Sequence, residues 1–167
     1  IYGILQYSIF AANSGWIKWH ERARMNDCYG LHRFVEAQDP VYQQVCFELE
    51  QGLKLTHWIW FIFPQIEGLS SSTNSKRFAI ASMEEAAAYL DHPVLGPRLI
   101  HCTNLVTGIS GRTIKRILGH TDSIKFRSSM TLFSLATSEK EPFTNALRKF
   151  FGGRYDPFTL ERLLVDV

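Results

Sequence analysis

The sequence predicts an all-α fold: a compact multihelical domain of about seven to nine short helices with an N-terminal arm. Three observations predict it. Apolar residues recur at i, i+3, i+4 and i+7 in segment after segment. Helix starts and stops punctuate those segments as Asp-Pro, Ser-x-x-Glu and terminal glycines. Strand evidence is confined to the run His57–Phe63, and one strand without partners makes no sheet.

The elements follow in order. Residues 1–30 lack this punctuation and read as an arm; residues 31–167 read as the domain. Asp39-Pro40 is an N-cap with proline at the first helical position, and Tyr42, Val45, Cys46 and Leu49 form the stripe that Gly52 stops. The aromatic run after Thr56 reads as a buried helix, capped by Thr56 and closed before Pro64. Ser82-Met83-Glu84-Glu85 is a capping box, followed by the stripe of Met83, Ala86, Ala87 and Leu90. Pro93 opens the next helix after His92 as N-cap, with Leu95, Leu99, Cys102 and Val106 inward and Gly108 at its end. Ile114, Ile117 and Leu118 predict a short helix ending at Gly119. Asp122 caps a helix over 123–136, Pro142 opens one that Gly152-Gly153 ends, and Asp156-Pro157 starts the last.

Composition bounds the function. The chain has 167 residues, 46% hydrophobic and 20% charged, which is one ordinary globular domain and excludes wholesale disorder. A net charge of +2 does not argue for a nucleic-acid or membrane partner. No run approaches the ~20 apolar residues of a membrane span. The cysteines, Cys28, Cys46 and Cys102, are odd in number and far from C-x-x-C spacing. A disulfide framework or a structural zinc site is therefore not expected, and reduced intracellular residence is. Cys46, on a core stripe, reads as packing. His92, His101 and His120 with Cys102 match no familiar ligand set, so no metal and no cofactor are expected. The sequence opens on Ile1, as a processed, trimmed or partial chain would. Its acid-poor, Arg-bearing opening suits an organelle such as the mitochondrion, with the cytoplasm as the alternative.

Phosphate-binding, dinucleotide, elbow-serine and zincin motifs are all absent. Three constellations remain. In the first, His57 and Gln65 flank an aromatic wall in which Trp58 or Trp60 would stack a planar ligand, with His57 as the acid–base candidate. The plainer reading makes this wall the central core helix. In the second, Lys125, Arg127, Ser128 and Thr131 crowd two helical turns and suit a phosphate or carboxylate. The plainer reading has the hydroxyls admitting a close neighbour and the cations solvated. In the third, Arg112, Lys115 and Arg116 with Lys125 and Arg127 form a basic run, which reads better as a solvated face than as a nucleic-acid surface. In the arm, Trp16, Ile17 and Trp19 beside Arg22 and Arg24 suit a partner groove or a membrane interface.

From Leu31 onward the sequence resembles a known family. The matching runs are residues 33–39, His57-Trp58-Ile59-Trp60-Phe61-Ile62-Phe63-Pro64-Gln65, His92-Pro93-Val94-Leu95-Gly96-Pro97-Arg98-Leu99, Lys125–Phe133, Phe150-Phe151-Gly152-Gly153 and Asp156. They are similar to domain-of-unknown-function family 1810, whose fold a mycobacterial conserved hypothetical protein represents. The resemblance implies a compact all-helical domain and no established reaction. The family is sometimes labelled calpastatin, but calpain inhibitors of that name are disordered repeats, which this chain is not. Two departures stand out: hydroxyl residues from Ser70 to Thr73 follow Gly68-Leu69 where the family favours a glycine, and Phe78 stands where it often has tyrosine. A family site using that tyrosine hydroxyl would be lost here.

Two functional readings follow. One is a non-catalytic accessory subunit that meets protein partners through its arm. The other is a binding protein or enzyme for a small anionic or planar ligand, held between the His57–Gln65 segment and the Lys125–Thr131 helix.

Overall fold

The computed structural model describes residues 27–165. The chain divides into two compact units, Ile1–His32 and Arg33–Val167. In the first, the described residues form a turn in which the Asp27 carboxylate accepts from the Leu31 and His32 N–H groups, each at 2.7 Å. Trp16, Ile17, Trp19, Arg22 and Arg24 lie outside the described residues.

Ten helices follow among the described residues: α1 His32–Gln38, α2 Tyr42–Glu50, α3 Ile59–Ile62, α4 Thr73–Arg77, α5 Met83–Asp91, α6 Leu95–Gly108, α7 Ile114–Leu118, α8 His120–Leu135, α9 Phe143–Phe151 and α10 Pro157–Val165. There is no strand among them. One isolated parallel bridge joins Ile66 to Ile80. The fold is all-α, as expected. Two helices were not foreseen: α4, Thr-Asn-Ser-Lys-Arg, has no apolar residue to make a stripe, and α1 turns Phe34, Val35 and the polar Gln38 inward.

The centre of the fold is α8. Helices α3, α5, α7, α9 and α10 all pack on it, and α6 gathers α2, α3, α5 and α9. This corrects the expectation that the aromatic run forms the central helix: α3 is a single turn. From Ser128 to Ser134 the helix is buried on every side and has no polar face, and α8 as a whole buries Phe126, Met130, Leu132 and Phe133 together with Ser123, Ser128, Ser129, Thr131 and Ser134. Small hydroxyl residues let neighbours approach closely, and the helix backbone satisfies several of them. Ser123 Oγ donates to the His120 carbonyl at 2.6 Å and Ser134 Oγ to the Thr131 carbonyl at 2.9 Å. Around α8 runs a ladder of rings: Phe63 on Phe126 at 4.8 Å, Tyr89 on Phe133 at 5.3 Å and Phe34 on Tyr89 at 5.1 Å. Phe78 packs between Phe34 and Phe61, so the departure from tyrosine falls on a core ring.

Several caps hold. Ser82 Oγ accepts from the Glu85 N–H at 3.2 Å, while the Glu85 carboxylate reaches the Ala81 N–H and the Arg33 guanidinium, each at 2.7 Å. His92 Nδ1 accepts from the Val94 and Leu95 N–H groups at 3.2 and 3.3 Å. Asp156 Oδ2 accepts from the Thr159 N–H at 2.9 Å and its hydroxyl at 2.7 Å. Gly152 ends α9 in the left-handed region, where a side chain would be strained.

Three expected caps do not form, each because its side chain has a tertiary partner. Asp39 pairs with Arg98 at 2.8 Å, and α2 starts later, at Tyr42. Thr56 donates its hydroxyl to Glu48 at 2.6 Å. Asp122 sits inside the first turn of α8 and binds Lys54 and Lys125 at 2.8 and 2.9 Å.

Candidate functional site

The segment from Leu55 to Ser70 packs on α8 through α3 and Phe63 and carries four of the expected site residues, His57, Trp58, Trp60 and Gln65. A buried carboxylate anchors its start. Glu48, 1% exposed, accepts from the Leu55 N–H at 2.8 Å, the Thr56 N–H at 3.1 Å, the Thr56 hydroxyl and the Trp58 indole N–H at 2.8 Å. Burial alone would raise this carboxyl. The Thr56 hydroxyl, the two backbone N–H groups and the indole outweigh burial and hold it at about 2. Trp58 is therefore a latch inside the core, 1% exposed, and no ligand can stack on it.

Beyond the latch, two cations bracket one carboxylate. Lys54 Nζ lies 5.1 Å from the centre of the Trp58 ring and Lys125 Nζ lies 5.0 Å from that of Trp60. Asp122 joins the two ammonium groups. Burial acts to raise the Asp122 carboxyl, but the hydrogen bonds and charges of Lys54 and Lys125 prevail and keep it low. Trp60 Nε1 is buried with no hydrogen-bond partner among the described residues.

The end of the segment opens on two cavities. The Ile66–Ile80 bridge fixes this stretch: the Ile80 N–H donates to the Gln65 carbonyl and the Glu67 N–H to the Ile80 carbonyl, both at 2.8 Å. One cavity, about 290 Å³, is lined by Gln65, Gly68, Leu69, Ile124, Ser128, Asp156 and Phe158. The other, about 500 Å³, is lined by Ile66, Glu67, Gly68, Ser70, Lys76, Ala81 and Arg162. Gly68 belongs to both. Its φ is +88°, and a Cβ built there would fall 1.6 Å from Arg162 Nη2. Only glycine lets the guanidinium of α10 lie against this turn. Neither the Lys76 ammonium nor the Arg162 guanidinium makes a hydrogen bond or ion pair among the described residues, and both side chains line the cleft, with Glu67 as the acid on its wall.

The expected site residues thus separate. Gln65 and Ser128 meet in the smaller cavity, Ser128 also bonding Thr159 at 2.6 Å. Lys125 and Trp60 meet at Asp122. His57 is exposed. Arg127 is not free for an anion: it donates to the Arg154 and Tyr155 carbonyls at 3.2 and 2.7 Å. Thr131 donates to the Arg127 carbonyl at 2.9 Å and accepts from the Asp156 N–H at 2.8 Å, so it ties the start of α10 to α8. Arg112 binds the Gln51 and Gly52 carbonyls at 2.9 and 2.8 Å and leaves the basic run. Sequence reasoning missed Lys54, Lys76 and Arg162 and gave Gly68 no role in a site. The Gly68-Leu69 pair and the hydroxyl run after it were the only local signal.

Residues 28–163 match a family described as "Protein of unknown function (DUF1810)", a span that includes both cavities and the lysine–carboxylate array. The chain belongs to this family. Among solved structures, the conserved hypothetical protein Rv1873 from Mycobacterium tuberculosis is similar at 49% identity and a TM-score of 0.81, covering 81% of this chain and 97% of that one. No curated protein matches the chain. This member of the family has no helix, among its described residues, long and apolar enough to cross a membrane. Nor do those residues hold a cluster of metal-ligating side chains.

Proposed function

We propose that this member of the family binds a small anionic molecule with an apolar or planar portion, in the two cavities that meet at Gly68. The observation that carries the reading is the pairing of unlike ends across one glycine. Lys76, Arg162 and Ser70 line one end; Leu69, Ile124 and Phe158 line the other, with Gln65, Ser128 and Asp156 as polar groups that would fix orientation. In the larger cavity two cations stand against the Glu67 carboxylate, which favours an anion there, and a guanidinium suits the paired oxygens of a phosphate or carboxylate; Asp156, in the smaller cavity, is taken up in capping Thr159. The ligand site proposed from sequence therefore moves from the aromatic wall to its exit, keeping Gln65 and Ser128.

The test is binding of phenyl phosphate, benzoate and inorganic phosphate, followed by calorimetry and by chemical-shift changes. Phenyl phosphate should bind more tightly than inorganic phosphate. Lys76→Ala and Arg162→Ala should each weaken it roughly tenfold or more, in keeping with charge-assisted hydrogen bonds. If binding is absent, or indifferent to both substitutions, the reading is wrong.

A second reading, an accessory interaction subunit, has its own support. Phe47, Leu53 and Leu55 are 55%, 45% and 67% exposed around the Glu48 latch, apolar side chains that a partner would cover. Native co-purification with the intact chain and with residues 1–30 deleted tests the arm as the contact; unchanged partners would remove it. The three free thiols favour an intracellular setting for either reading.

A further inference from the structure

The Cys46 cluster lies apart from both cavities and does more than fill space. Helices α2 and α6 pack side by side. The Arg98 guanidinium lies 4.5 Å from the centre of the Tyr42 ring, and it donates to Asp39 at 2.8 Å and Gln38 at 3.3 Å. That contact pins the first turns of the two helices together. Cys46 is one turn beyond Tyr42, and Cys102 is one turn beyond Arg98. The two thiols accordingly face each other across the helix pair. The far ends of the two helices also meet: a Cβ built at Gly52 would lie 3.4 Å from Ile109 Cγ2, and Arg112 binds the Gln51 and Gly52 carbonyls, so the pair runs parallel with Cys46 beside Cys102. Cys102 is fully buried, whereas Cys46 is half-buried.

We propose that Cys46 and Cys102 form an oxidisable dithiol site, at which a hydroperoxide converts the pair to a disulfide linking α2 to α6. Cys46 is the attacking group because solvent reaches it and its neighbours donate to it. The hydrogen bond from Cys102, then those from Tyr42 and His101, holds its thiol below the ordinary value against the opposing effect of burial. The Cys102 thiol is pushed up by sharing a proton with Cys46 and by burial. One sulfur is thus the nucleophile and the other keeps its proton until needed.

The Cys46 thiolate attacks the peroxide O–O bond. That bond breaks, Cys46 becomes a sulfenic acid, and the departing oxygen leaves as hydroxide or alkoxide that takes up a proton. The Cys102 sulfur then attacks the Cys46 sulfur. The S–S bond forms, the S–O bond breaks, and water leaves with the Cys102 proton. Two sulfurs together lose two electrons, which reduce the peroxide to water and an alcohol, or to two waters. Burial of Cys102 is no obstacle to the second step, because its target is the adjacent sulfur.

The test uses the full chain with Cys28→Ser, which leaves only these two thiols. Carbamidomethylation of Cys46 should rise less than twofold between pH 7 and pH 8, where an ordinary thiol rises about eightfold. Brief hydrogen peroxide should yield a peptide cross-linked between Cys46 and Cys102 that dithiothreitol reverses. In a Cys102→Ser chain the same treatment should drive Cys46 to sulfinate. An eightfold rise, or sulfinate at Cys46 without the cross-linked peptide in the two-thiol chain, would overturn the proposal; neither measurement depends on the Cys102→Ser variant folding.

Discussion

Replacing Glu48 by Gln tests the latch at the start of the site segment. The carboxylate collects two backbone N–H groups, a hydroxyl and an indole N–H. Glutamine keeps one carbonyl oxygen but turns an NH₂ toward donors that need an acceptor. Hydrogen bonds to a charged group contribute about 1.5–3 kcal/mol each, but they do not add, since one side chain serves all four. Linkage offers a second route to the magnitude. A carboxyl held at about 2 in the fold, against about 4.3 unfolded, stabilises the native state by about 3 kcal/mol at neutral pH. Leu55 and Thr56 are themselves exposed, so the carboxylate lies just beneath the surface and solvent screening lowers that figure to about 2 kcal/mol. Because the folded value is depressed, this stability is present above the unfolded value and is lost as pH falls from about 5 toward 2. Urea denaturation of both chains at pH 7 and pH 3 provides the measurement. Glu48→Gln should be less stable at pH 7 by about 2 kcal/mol, and the gap should narrow by about half or more at pH 3. A variant as stable as the parent at pH 7, or a gap that is the same at both pH values, would refute the reasoning.

Three further substitutions probe the frame of the site, each read by chemical denaturation. Gly68→Ala places a Cβ 1.6 Å from Arg162 and a side chain at φ +88°, so a loss of about 1–2 kcal/mol is expected, together with loss of phenyl phosphate binding. Gly96→Ala sets a Cβ 1.9 Å from the Leu90 carbonyl oxygen, which cannot rotate away; a loss of about 2 kcal/mol or more should follow, with the cleft unaffected. Asp156→Ala removes the cap that receives both Thr159 donors and should cost about 1–2 kcal/mol while raising amide exchange in the first turn of α10.

Much of the helical order could be read from punctuation, and the misses share one cause. Ser82, His92 and Asp156 cap where expected, each accepting from N–H groups of its own first turn. Asp39, Thr56 and Asp122 do not, because Arg98, Glu48 and the Lys54–Lys125 pair offer better partners from elsewhere in the chain. A local rule cannot see such partners, and a charged or hydroxyl side chain is the kind most easily drawn to one. The aromatic run was misjudged for a related reason. Its density suggested a central helix, yet the centre went to α8, whose serines and threonines look polar in sequence and serve as small spacers in the fold.

The site was legible where two segments that each carry a visible pattern come together in space. Lys125 over Trp60, and Gln65 beside Ser128, were brought together by two long segments that each carried a visible pattern. The cleft at Gly68 had no such pattern, because Lys76, Gly68 and Arg162 come from three separate elements and only packing assembles them. That packing traces back to the hydroxyls of α8. Ser128 bonds Thr159, and Thr131 receives the Asp156 N–H, so the two side chains set the start of α10 against α8. From there α10 delivers Phe158 to the smaller cavity and Arg162 to the larger. The residues first read as anion ligands thus act one step back, as the positioning residues for the cation and the ring that line the cavities.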